Sequence, residues 1–209
     1  MKKHFVIRFI QNGVLFCTIG LATSVRAQGT ITFAGWADWS GPSYQELGMR
    51  YQLVIPPGTS GQDYMVVTAP IYLNHPENSS AYMLWYRQFN PYNYVSLSAT
   101  NGGAFGLTSV ELADPTAPSP SPVSISFIGH LPAGSTVTNT FTTPGSGADH
   151  LLNYQFTSTF ASGLTSVDIL APRWAMDNLV FTVPEPSAAS LLLLGSGVLT
   201  YVRQRYKQR

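Results

Sequence analysis

From residue 28 to residue 182 apolar and polar side chains alternate in short runs, each broken by Gly, Pro, Asn or Ser. A period of two is the repeat of a half-buried strand, and almost none of the chain here shows the three-to-four spacing of a helix. The pattern predicts strands over residues 30–34, 48–55, 64–68, 81–87, 94–98, 103–112, 123–128, 136–142, 151–157, 164–170 and 174–181. Turn chemistry separates them: Pro56-Pro57-Gly58, His75-Pro76-Glu77-Asn78, Asn101-Gly102-Gly103, Leu131-Pro132-Ala133-Gly134 and Pro144-Gly145-Ser146-Gly147. Many short strands at such spacing predict an all-β fold, a single β-sandwich or jelly-roll domain. Residues 114–122 hold four prolines and form a stiff, extended connection, read here as a crossover within one domain.

Two strands carry anomalies. Over residues 174–181 strict alternation puts Asp177 on the side of Ala175, Leu179 and Phe181. A carboxylate among apolar neighbours must be bonded to backbone N–H groups, paired, or bound to a cation. A calcium ion held at Asp177 would need oxygen ligands from other strands, such as Asp38, Asp63 or Asp168. Over residues 136–142 threonine recurs at every second position, which places four threonines on one face. Such a row suits an exposed strand face, and a flat threonine array is also one way to bind ice.

The two ends break the pattern. Residues 1–27 have a basic start, an apolar stretch from Gly13 to Ala22 and Val25-Arg26-Ala27, so they predict a secretory signal peptide cleaved after Ala27. Cys17 is the only cysteine and lies in that segment; Phe16 before it does not suit a lipoprotein signal. Without Cys17 the chain has no thiol for disulfides, zinc or nucleophilic catalysis. Residues 187–202 carry no charge. As a helix they span about 24 Å, a marginal transmembrane length, and the basic tail Arg203, Arg205, Lys207, Arg209 would hold its end in the cytoplasm. Pro184 and Pro186 stop that helix from extending backwards.

Charge then changes the picture. The formal net charge of +1 conceals its distribution. Between residues 28 and 183 only Arg50, Arg87 and Arg173 face nine acids, a net −6. An acidic domain without a basic stripe does not bind nucleic acid. His75, His130 and His150 sit beside turn residues and form no metal-binding pair. No Gly-x-Ser-x-Gly elbow, phosphate loop or dinucleotide fingerprint is present, and no enzyme activity is expected.

Aromatic side chains supply the candidate binding chemistry. Trp85, Tyr86, Phe89, Tyr92 and Tyr94 crowd into an eleven-residue stretch with Gln88, Asn90 and Asn93. Sugar rings expose apolar C–H faces that stack on aromatic platforms while amides take the hydroxyls. Trp85, Tyr86, Tyr92, Tyr94 and Asn93 are therefore the candidate carbohydrate-binding residues.

The end of the chain, Val183-Pro184-Glu185-Pro186, then the Leu/Gly-rich run, then the Arg-rich tail, closely resembles the PEP-CTERM sorting signal of Gram-negative bacteria. That resemblance implies recognition by an exosortase and an association with exopolysaccharide and biofilm. It also implies an inner-membrane intermediate followed by release to the cell surface or matrix. The strands around residues 103–112 and 174–181 look like recurring strands of exported β-sandwich proteins with this signal. Those proteins are similar in layout to carbohydrate-binding jelly rolls. The expected organisation is a signal peptide (1–27), a β-sandwich (28–182) and a sorting signal (183–209). The expected function is a non-catalytic polysaccharide-associated protein. The competing readings are a structural or adhesive matrix protein with protein partners, a glycan hydrolase, and an ice-binding protein.

Overall fold

The computed structural model describes residues 26–35, 39–59, 63–68, 80–86, 92–115, 122–144 and 150–184. Their strands are β1 (Arg26–Ile31), β2 (Trp39–Gly41), β3 (Ser43–Glu46), β4 (Met49–Val54), β5 (Met65–Thr68), β6 (Tyr82–Tyr86), β7 (Tyr94–Ala99), β8 (Gly106–Ala113), β9 (Val123–His130), β10 (Thr136–Thr143), β11 (Leu152–Gln155), β12 (Ser166–Leu170) and β13 (Arg173–Pro184). One sheet runs β11-β8-β13-β6-β5-β2, with β1 also paired to β13; the other runs β10-β9-β12-β7-β4-β3. The pairs along both paths are antiparallel. Residues Gln28–Val183 form one compact unit, apart from the two terminal segments.

The six-stranded sheet shows why alternation reads so clearly. In β9, Val123, Ile125 and Phe127 are buried while Ser124 and Ser126 look outward. In β7, Val95, Leu97 and Ala99 are buried and Ser96 and Ser98 are half-buried on the other face. One face packs on the core and the other meets water, the usual economy of an antiparallel sheet. The seven-stranded sheet differs. Trp85, Met83, Trp174 and Met176 enter the main core, while Tyr82, Leu84, Ala113 and Ala175 form a second buried cluster. Its central strands are buried on both faces, so β6 reads as a continuous apolar run.

The predicted strands are present, most with ends shifted by a residue or two. The strand expected at 30–34 lies at Arg26–Ile31 instead. Phe33 has φ +55°, and the N–H groups of Thr32 and Phe33 donate to the Glu46 carboxylate at 3.1 and 2.9 Å, which turns the chain off the sheet. β2 and β3 were not legible in the pattern; they are short and separated by Pro42.

The larger correction is in β13. Its pairing with β8 slips between Asp177 and Val180, and Asn178 there has φ +46°. The pairing slips back between Val180 and Phe181, so the register is restored, but the irregularity reverses which face the later residues of β13 meet. Ala175 therefore belongs to the second cluster, whereas Leu179 and Phe181 belong to the main core with Trp174 and Met176. Strict alternation had put Ala175, Leu179 and Phe181 on one side.

Two buried tyrosines make the fold sensitive to alkali. Burial, then the charges of Glu46, Tyr44 and Asp177, pushes the Tyr51 phenol well above its ordinary 10.0. Tyr44 is raised as well, chiefly by burial and by its 2.8 Å bond to Glu46. The folded state thus holds these protons more tightly than the unfolded chain does. Stability is complete below pH ~10 and falls as pH rises beyond it, because the unfolded chain ionises first. In a pH titration followed by circular dichroism, Tyr51→Phe is expected to move the alkaline unfolding transition to higher pH.

Candidate functional site

β4 ends at Val54 because Pro56 and Pro57 remove the donors that another ladder step would need. The chain before β3 folds alongside: Leu53 N–H donates to the Pro42 carbonyl at 2.8 Å, and the Gln52 amide donates to the same carbonyl at 3.1 Å. The result is a cleft of about 440 Å³ lined by Pro42, Gln52, Leu53, Ile55, Asp63 and Tyr64. That volume lies within the range of small-molecule and single-sugar sites.

A buried bond fixes what surrounds the cleft. Asn93 Nδ2 donates to Asp63 Oδ2 at 2.9 Å, and both residues are almost fully buried. The next residue after Asp63 is Tyr64, 54% exposed, and Asn93 is flanked by Tyr92, 67% exposed, and Tyr94. Tyr94 is half-buried and lies opposite Val54 across the β7–β4 pair. Burial raises its phenol above the ordinary value, helped by the negative charge of Asp168. Three tyrosines therefore gather at the β4 end of the six-stranded sheet, two of them largely exposed.

The candidate residues read from the sequence divide accordingly. Tyr92 is an exposed ring and Tyr94 a half-exposed one. Asn93 is not a free amide, because it is spent on Asp63. Trp85 is not a platform: it is fully buried, 6.1 Å from Trp174 between ring centroids, and directly opposite it in register. Tyr86 ends β6 opposite Arg173. Phe89, Gln88 and Asn90 lie outside the described residues. Tyr64 and Gln52 were missed: Tyr64 was read as the start of a strand, and Asp63 was considered only as an oxygen ligand for calcium.

Asp177 is fully buried. Ser80 Oγ donates to its Oδ2 at 2.6 Å and the Asn178 N–H to its Oδ1 at 2.7 Å, while the Asn178 amide reaches Glu111 at 2.9 Å. The carboxylate thus braces the bulge and ties β13 to the start of β6. Among the described residues no group of three or more His, Cys, Asp or Glu could hold a metal ion. His130 is not a loop histidine: it ends β9, and its Nε2 lies 2.8 Å from Asp168 Oδ2 on the outer face of the six-stranded sheet. The four alternating threonines of β10 are all exposed.

At the other end of the domain β13 delivers the terminal motif. Val183 is half-buried and Pro184, the last residue of the strand, is exposed. Glu185 and Pro186, the expected membrane helix 187–202, the basic tail and most of the expected signal peptide lie outside the described residues. Among the described residues no helix is long and apolar enough to cross a membrane.

The described chain is an all-β sandwich of two antiparallel sheets with a tyrosine-flanked cleft and an extended exit strand. Residues 182–205 match the PEP-CTERM protein-sorting motif. This is a PEP-CTERM-containing protein, and the motif implies export and processing by an exosortase. No curated protein matches the chain. Among solved structures, the CBM22-1–GH10 modules of endo-1,4-beta-D-xylanase 10B from Clostridium thermocellum, complexed with xylohexaose, are 9% identical at a TM-score of 0.43. That match covers 74% of this chain and 28% of the xylanase modules. The CBM22-1 xylan-binding domain from Paenibacillus barcinonensis is 11% identical at a TM-score of 0.41, covering 79% of this chain and 99% of that one. The family 11 carbohydrate-binding module from Clostridium thermocellum, in complex with a mixed-linked tetrasaccharide, is 12% identical at a TM-score of 0.32, covering 76% and 96%. At these values no ligand or role passes from those proteins to this chain.

Proposed function

We propose that this is a non-catalytic, polysaccharide-associated protein of the cell envelope or extracellular matrix, and that its glycan site is the cleft between Pro42, Gln52 and Tyr64. The carrying observation is exposed Tyr64 in the lining of a cleft of about 440 Å³ that also holds amide and carboxylate groups, with exposed Tyr92 next in sequence to the Asn93 that bonds Asp63. Rings supply stacking faces for pyranose C–H surfaces, and polar groups beside them read hydroxyls. The acidic balance of residues 28–183 repels polyanions, so the substrate class is a neutral polysaccharide. The membrane steps of this reading are a signal peptide cleaved after Ala27, an inner-membrane intermediate held by residues 187–202, and release at the surface after exosortase processing.

Affinity electrophoresis of the detergent-solubilised full chain tests the glycan assignment. Migration is expected to slow in gels containing neutral exopolysaccharide and to be unchanged in gels containing a polyanionic one. Tyr64→Ala and Tyr92→Ala are each expected to weaken the retardation about tenfold, equivalent to the loss of one stacked ring. Equal retardation of wild type and both variants would remove the cleft from the account.

A further inference from the structure

The two sheets end in β11 and β2 on one path and in β10 and β3 on the other. Three of these edge strands are three or four residues long, whereas β10 has eight. Its hairpin with β9 shows which backbone groups face outward. The Leu131 N–H donates to the Ser135 carbonyl at 2.9 Å, so that pair is a hydrogen-bonded one. Hydrogen-bonded and non-hydrogen-bonded pairs alternate along an antiparallel ladder. Given the register Val137↔Gly129 and Asn139↔Phe127, the odd-numbered residues of β10 bond to β9. Thr136, Thr138, Thr140 and Thr142 therefore direct their N–H and C=O groups away from the sheet. Two contacts agree with this. The Tyr154 hydroxyl donates to the Thr142 carbonyl from outside the pair at 3.0 Å, and Thr165 N–H reaches the His130 carbonyl on the β12 side of β9 at 2.8 Å.

Long free edges are templates for strand addition, and proteins commonly guard them with Lys, Pro or inward charges. Among the described residues β10 has no such guard beyond the Tyr154 hydroxyl on the Thr142 carbonyl. From Val123 to Thr143 there is no Lys, Arg, Asp or Glu, in a domain whose net charge is −6. We propose that a second copy of this chain pairs antiparallel along β10 and joins two six-stranded sheets into one. The sequence of the strand selects that occupant. Threonine at 136, 138, 140 and 142 is symmetric about Asn139. A two-fold axis through Asn139 sets Thr138 against Thr140 of the second copy, Thr136 against Thr142, and Val137 against Phe141. The outward backbone groups of Thr138 and Thr140 then meet their complements, as an isologous interface requires, while the Thr142 carbonyl stays with the Tyr154 hydroxyl of its own chain. The neutral strand is also where two acidic domains approach with least repulsion. The cleft lies at the opposite edge of the same sheet, beside β3 and β4, so pairing leaves both clefts open and makes the assembly bivalent.

Sedimentation velocity on the full chain in detergent micelles, over a concentration series, tests this. The wild type is expected to dimerise reversibly. Thr140→Lys puts a charge on the shared edge, and Thr138→Pro removes a donor that β9 does not use, so neither costs a ladder bond. Each is expected to weaken dimerisation about tenfold or more while circular dichroism stays unchanged. In a Cys17→Ser background, Asn139→Cys is expected to give a disulfide-linked dimer on oxidation, since the axis brings that position against itself. The exposed Leu47→Cys control is expected to remain uncrosslinked. A wild type that stays monomeric would overturn the proposal. So would a dimer that survives both edge variants with no preferential crosslink at position 139.

Discussion

Trp174→Ala is expected to cost about 3–5 kcal/mol of folding stability, a large share of the roughly 5–15 kcal/mol that holds a domain together. Trp174 is fully buried at the centre of the seven-stranded sheet, opposite Trp85 in register and tilted 38° against its ring. Truncation leaves a cavity in contact with β6 and β8, which are pinned by backbone ladders and cannot collapse into it. Neither indole N–H has a hydrogen-bond partner among the described residues. Trp174→Phe therefore deletes an unpaired donor together with part of the ring, and is expected to cost well under half as much as the alanine change. Urea unfolding followed by circular dichroism checks both. A shift of the midpoint by less than that of an ordinary surface substitution in Trp174→Ala would mean that the two tryptophans do not form the centre of the core.

Deleting residues 184–186 is expected to abolish processing, leaving the unprocessed chain in the membrane fraction. The matched motif begins at residue 182, inside the end of β13, and burial falls from Phe181 through half-buried Thr182 and Val183 to exposed Pro184. Proline has no N–H to continue a ladder, and it biases its predecessor toward extended backbone. Pro184, the first residue of the tripeptide, is thus the exposed end of β13, where an enzyme can reach the chain. Conversion of the two prolines to alanine, with Glu185 kept, is expected to reduce processing less than the deletion does. Immunoblots of fractionated cells measure the processed and membrane-bound forms. Normal release of the deletion variant would show that the motif does not direct this chain.

Much of this fold was legible because one sheet is wet on one face. β4, β7 and β9 alternate without interruption, and their sequences carry the period openly. β2 was not legible because three residues cannot establish a period, and Pro42 interrupts before β3 begins. The bulge at Asn178 was hidden for another reason. A local irregularity reverses the parity of the rest of the strand, and its local trace is an Asn, a residue that tolerates positive φ. The aromatic stretch divided along the same line. Tyr92 follows a proline in a turn and is exposed, as a turn position suggests. Trp85 sits in a strand apolar on both faces, where sequence cannot tell a platform from a core. Asn93 and Asp63 lie thirty residues apart, and only the folded chain brings them together. Tyr64 owes its place beside the cleft to that contact. The sorting motif was fully legible, because a processing enzyme reads it as linear sequence.

The cleft assignment is tested most directly by hydroxyl-radical footprinting of the full chain, with and without saturating neutral exopolysaccharide. Tyr64 and Tyr92 are expected to become protected together, while Leu47, exposed on the turn between β3 and β4, keeps its reactivity as an internal control. Unchanged modification of both tyrosines under conditions where the polysaccharide is bound would contradict the account and place recognition on another surface.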